Sequence, residues 1–149
     1  MKYKILLFLF FVPFWLRAQE LLCERMLVKY KKELKEKLYP ADRRRDSVLI
    51  SKNEVELHLA EGIEGHYRII FNDSVYYSGV IHGDPRIGFH QSIFYLKPQK
   101  VENILVLENV EKGSKAIIVV NGEYRYLSLF LRRYCTIVAQ FSNVRPFKG

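Results

Sequence analysis

Two tetrapeptides, Ile104-Leu105-Val106-Leu107 and Ile117-Ile118-Val119-Val120, are apolar at every position and rich in β-branched residues. Successive side chains of a strand point to opposite faces, so a strand of this kind is greasy on both sides and asks for cover on both. That requirement excludes a lone sheet with one wet face. It leaves two packed sheets, or one sheet backed by a helix.

The rest of the chain beyond Ser47 repeats with a period of two. Val55, Leu57 and Leu59 alternate with Glu54, Glu56 and His58, which predicts a half-buried strand with the polar residues on its solvent face. The turn Gly62-Ile63-Glu64-Gly65 leads to a strand over 66–72, and Asn72-Asp73 turns the chain into 74–81, a hairpin. Further strands are predicted over 89–96, 101–110, 115–120, 123–131 and 134–142, with a turn at 111–114. Asn121-Gly122 is the strongest local hairpin signal, because both residue types tolerate the positive φ of a two-residue turn. Eight short strands with regular turns predict a mostly β fold, a β-sandwich-like domain of antiparallel strands, with an α+β arrangement as the alternative.

One helix is expected ahead of the sheets. From Glu20 to Tyr39, Cys23, Met26, Leu27, Tyr30, Leu34 and Leu38 recur at three- and four-residue steps between lysines and glutamates, an amphipathic pattern that Pro40 would end. Its lysine face is a solvated surface, or a second contact surface for a partner or for anionic lipid. The organisation predicted is a secretion signal over 1–19, this helix over 20–39, a charged connector over 40–47, the β domain over 48–142 and a tail over 143–149.

The secretion signal is read from Lys2 and Lys4, the apolar run Ile5 to Leu16 and the closing Arg17-Ala18-Gln19. The run is shorter than the roughly 20 residues that cross a bilayer, which favours cleavage over a retained anchor. Leu16 is a poor fit at the position three residues before the cut, and an uncut signal would leave a membrane-tethered envelope protein. Lipid attachment at Cys23 is disfavoured by the bulky Leu22 before it. The Ala18-Gln19 ending resembles export signals of some Gram-negative bacterial lineages, a likeness confined to the targeting segment. It implies a periplasmic, envelope or extracellular location.

Export bears on the two cysteines, Cys23 and Cys135, which an oxidising compartment permits to pair. Closing so long a loop would add about 4–5 kcal/mol in the chain-entropy model. Two separate buried thiols are the alternative.

The formal charge of +8 is unevenly spread: residues 1–19 carry +3, residues 20–46 another +3, and the β-rich remainder +2. A nucleic-acid binder needs a basic face on the folded module itself, so nucleic acid is not an expected partner. No Gly-x-Ser-x-Gly elbow, His-Glu-x-x-His or Cys-His pairing is present, and Glu54, Glu56, Glu61, Glu64 and Glu102 all fit solvated positions. The loop His82 to His90 is the one cluster with ligand chemistry: His82, Asp84 and His90 could converge on a metal ion, the basis of an alternative reading as a metal-assisted hydrolase, although the spacing matches no known ligand pattern. The same glycines and Pro85 also serve an ordinary turn, and no cofactor is otherwise implied.

Aromatic residues are abundant, and Tyr124, Tyr126 and Phe130 fall on one face of a predicted strand. The expected activity is therefore non-catalytic binding of a protein or an envelope polymer, with Tyr76, Tyr124, Tyr126 and Arg86 as contact residues.

Overall fold

The computed structural model describes residues 25–31, 40–83, 92–99, 102–133 and 135–143. Its elements are β1 (Leu27–Lys31), α1 (Pro40–Lys52), β2 (Val55–Leu59), β3 (Gly65–Phe71), β4 (Ser74–Ile81), β5 (Ser92–Leu96), β6 (Glu102–Asn109), β7 (Ser114–Asn121), β8 (Tyr126–Arg132) and β9 (Thr136–Ser142). The strands form a five-stranded sheet in the order β1-β9-β8-β2-β5 and a four-stranded sheet in the order β4-β3-β6-β7. The mostly β, sandwich-like class follows directly.

Period-two alternation builds the core. Leu57, Leu59, Leu127, Leu129, Ile137 and Ala139 of one sheet meet Tyr67, Ile69, Leu105, Leu107, Ile118 and Val120 of the other, all buried in one cluster. Each fully buried Leu or Ile side chain contributes about 1.5–3 kcal/mol by leaving water.

The local hairpins form where turn chemistry places them. Asn72 and Asp73 take φ of 48° and 65°, the left-handed pair that a tight turn between β3 and β4 needs, with Phe71 paired to Ser74. Gly113, at φ 65°, helps close β6 onto β7. Asn121-Gly122 does not make a hairpin: β7 and β8 belong to different sheets, and neither residue has positive φ. Instead the Asn121 side-chain oxygen accepts the Glu123 N–H at 2.9 Å, an Asx turn that carries the chain from one sheet to the other.

Three further expectations are corrected. Residues 27–31 of the predicted helix form a strand, parallel to β9, while the supposed connector 40–47 lies within the helix. Helix propensity yields here to β9, whose edge gains a partner, and Pro40 opens α1, where its missing N–H would have had no helical acceptor. The strands are not all antiparallel, since β2 also pairs with β8 in parallel. Finally, the outer face of the four-stranded sheet is open among the described residues: Ile104, Ile117 and Val119 are 40–45% exposed. The inner face alone accounts for the burial of β6 and β7.

Candidate binding edge and the polar layer beneath the helix

Two places bring functional side chains together. The first lies on the outer face of the five-stranded sheet, on the side of β2 away from the core. All five residues of β2 are buried, so Glu56 and His58 are not on a wet face as their alternation predicts. The missing information is tertiary: α1 supplies Arg45 and the buried Asp46, polar groups that match them.

Arg45 grips Glu56 with two charge-assisted hydrogen bonds, from Nε to Oε2 at 2.8 Å and from Nη2 to Oε1 at 3.2 Å, and also donates to the Tyr95 hydroxyl at 3.0 Å. His58 Nε2 lies 2.9 Å from Glu56 Oε1. On β8, whose residues stand beside those of β2 in register, the Tyr126 hydroxyl donates to Asp46 Oδ1 at 2.5 Å, and Arg125, just before the strand, has its Nε 3.7 Å from Oδ2. Burial pushes the Glu56 carboxyl up, but the hydrogen bonds from His58 and Arg45 outweigh it and hold the group below its ordinary value. Hydrogen bonding to Glu56 raises Arg45 in turn. Burial, reinforced by the bond to Asp46, drives the Tyr126 phenol well above its usual range.

A carboxylate beside an imidazole, with Ser128 in register next to His58, contains the residue types of nucleophilic catalysis. Access rules against that use in this conformation: Glu56 and Tyr126 have no exposed surface, and His58 and Ser128 are 1–2% exposed. The layer instead fastens α1 to the sheet.

The second place is the side of the sandwich where β4 and β5 are the sheet edges. The His66 carbonyl accepts from Val110 N–H at 2.8 Å and Asn72 N–H donates to the Ile104 carbonyl at 2.9 Å. Even-numbered residues of β3 therefore face β6, and odd-numbered ones face β4. Following the register, Tyr77, Gly79 and Ile81 turn their backbone groups to β3, whereas Ser78 and Val80 turn theirs outward. Tyr76 is the extra residue of the bulge between Ile69 and Ile70.

Side chains finish this edge. Tyr77 packs on Phe94 across the two sheets, ring centroids 5.0 Å apart, and its hydroxyl donates to the Val80 carbonyl at 3.1 Å. The Tyr76 hydroxyl donates to the backbone carbonyl of Tyr95. That carbonyl faces outward because Glu56, opposite Tyr95, directs its own N–H to the carbonyl of Arg125, just before β8. Val75, Tyr76, Val80 and Tyr95 are all exposed. Burial raises the Tyr76 phenol above its ordinary value.

Of the predicted contact residues, Tyr76 lies on this edge. Tyr126 does not: its hydroxyl is committed to Asp46 inside the polar layer, which removes it from any contact surface. Tyr124 precedes β8, half-buried on Phe141 with ring centroids 5.4 Å apart. Among the proposed metal ligands, His82 is exposed just past β4, while Asp84 and His90, with Arg86, lie outside the described residues. Cys135 sits in the turn before β9 at φ 54°, and Cys23 lies outside the described residues, as do residues 1–24, which include the predicted secretion signal. Lys29 and Lys31, assigned by sequence to a helix face, project from strand β1. The buried pairing of Arg45 with Glu56 was missed; the three-arginine run before a strand bearing Glu and His was the available signal.

Compared with protein-family models, with curated proteins and with solved structures, the chain finds no match.

Proposed function

We propose that this chain is an exported, non-catalytic binding module that holds an extended polypeptide segment along β4. The observation that carries the reading is the edge itself: Ser74–Ile81 reads Ser-Val-Tyr-Tyr-Ser-Gly-Val-Ile, without a charged residue or proline, and it directs the backbone groups of Ser78 and Val80 outward. Soluble proteins commonly blunt exposed edges with lysine, proline, bulges or cover. Beyond the bulge at Tyr76, the stretch from Tyr77 to Ile81 pairs regularly with β3 and bears no charge, which suits strand addition, in which main-chain hydrogen bonds supply affinity. Between protein and envelope polymer, this favours protein; the exposed Tyr76 ring stands on the same strand.

Export rests on the basic-apolar-small pattern of residues 1–19. It accords with a Cys23–Cys135 disulfide, which belongs to the same proposal. Leu27 N–H donates to the Cys135 carbonyl at 3.0 Å, so Cys135 stands against the start of β1. Cys23, four residues earlier, is within a chain reach of about 14 Å.

Selection of extended peptides from a displayed library tests the reading. Binders should be retained by the wild type and lost with Ser78→Pro, which removes an outward N–H and leaves the ladder to β3 intact. Peptides that bind the Pro variant equally well would refute it.

A further inference from the structure

Among the described residues the buried carboxylates are Asp46 and Glu56, and both lie in the layer between α1 and the five-stranded sheet. The cluster between the two sheets is built from apolar and aromatic side chains and holds no charge. Glu54, Glu61 and Glu108, which also form ion pairs, keep part of their side chains in water. Acid therefore has its buried targets in one place, under the helix.

The helix itself is thinly held by apolar contact. Leu49 is its one buried apolar side chain among the described residues, and it stands outside the inter-sheet cluster, while Val48 and Ile50 are exposed. The polar contacts converge on the two carboxylates: Arg45 donates to Glu56, the Tyr126 hydroxyl donates to Asp46, and Arg125 lies near Asp46. A helix of 13 residues is marginal in water without tertiary support, and Asp46, Ser47, Val48 and Ile50 are weak helix formers. Its C-terminal end is tied separately. Asn53 stops the helix at φ 50°, Glu54 N–H donates to the Leu49 carbonyl at 2.9 Å, and the Asn53 side-chain amide donates to the Pro98 carbonyl at 3.0 Å. Asn53 thus serves as a pivot.

From this distribution we infer that α1 is an acid-released latch, which leaves the sheet when Asp46 and Glu56 take up protons while the sandwich beneath it stays folded. Glu56 faces Arg45 on α1, His58 on its own strand and Tyr126 on β8; Asp46 faces Tyr126 and Arg125; Tyr95 of β5 touches Arg45 from the other side. Glu56 is held below its ordinary value in the closed state, so its contribution to closure is present above the carboxylate range and is lost as pH falls through the folded value. Once both carboxyls are neutral, the layer holds Arg45, Arg125 and the His58 imidazole with no buried countercharge among the described residues. The face uncovered by opening carries Glu56 beside Tyr126 and His58 beside Ser128, a polar strip across β2 and β8 that is buried in the closed form.

Residue-resolved amide exchange from pH 6 to pH 3, on the protein as processed by its source cells, tests the latch, with each rate divided by the intrinsic rate at the same pH. Protection of Val48 to Ser51 should fall at least about fivefold on acidification. Protection of Leu105 and Ile118, paired between β6 and β7, should stay within about twofold. Glu56→Gln should lower α1 protection already at pH 6 and flatten its pH profile; if that variant does not fold, the wild-type profile decides alone. Equal loss at α1 and at Leu105 and Ile118 would mean that acid unfolds the whole domain. α1 protection that does not change with pH would mean that the carboxylates do not hold the helix. Either result overturns the latch.

Discussion

Replacing Glu56 by Gln tests the polar layer. The carboxylate is fully buried, accepts two hydrogen bonds from Arg45 and lies 2.9 Å from His58. Removing one member of a buried ion pair costs about 3–5 kcal/mol, because the other is left without compensation. Arg45, with about a third of its side chain exposed, regains some water, which puts the expected loss near the lower end, about 3 kcal/mol. For a domain of this size that corresponds to a fall in Tm of about 10 °C. The acid dependence has a fixed sign. Glu56 is held below its unfolded value, so its contribution is present above the ordinary carboxylate range and is lost as pH falls through the folded value. The gap between wild type and variant should thus narrow on acidification below about pH 5. Thermal melts followed by circular dichroism from pH 3 to pH 8, with Arg45→Met and the double variant, read all three effects. A coupling of about 2 kcal/mol between the two positions is expected. A Tm change under about 3 °C, or strict additivity, would refute the clamp.

Other outcomes follow from single contacts. Tyr126→Phe removes the donor to buried Asp46 and should cost about 1.5–3 kcal/mol in urea unfolding, with no effect on peptide binding at β4. The Tyr126 phenol is raised on folding, so its contribution holds below about pH 10 and fades as pH rises through the folded value; ultraviolet titration should show a tyrosine that ionises only with unfolding. Gly62→Ala places a Cβ 2.7 Å from the Leu131 carbonyl at a φ of 87°, and should destabilise by about 3 kcal/mol or prevent folding. Intact mass before and after reduction should show a processed chain with both thiols blocked, and reduction should lower stability by about 2–5 kcal/mol; free thiols would end the disulfide proposal.

Sequence made legible what neighbouring residues decide. The Asn72-Asp73 hairpin and the turn ending at Gly113 follow from local φ preferences, and the inward residues of β2, β3, β6 and β7 follow from alternation. What depends on distant partners was hidden. Leu27–Lys31 has helical spacing, yet its backbone completes an edge of β9 more than a hundred residues away. Glu56 and His58 look solvent-facing until Arg45 and Asp46 fold over them. Ile104, Ile117 and Val119 look like core, yet face outward. Tyr76 and Tyr126 are indistinguishable by composition. A bulge puts one on an exposed edge, and a helix buries the other.

Residue-resolved amide exchange along β4 is the most direct measurement of the open edge. In dilute, unbound protein, Ser78 and Val80 should exchange quickly while Tyr77 and Gly79, bonded to β3, exchange slowly. Addition of a selected peptide should protect Ser78 and Val80. Slow exchange at both residues in the dilute, unbound protein would show an edge already covered, and would contradict the account.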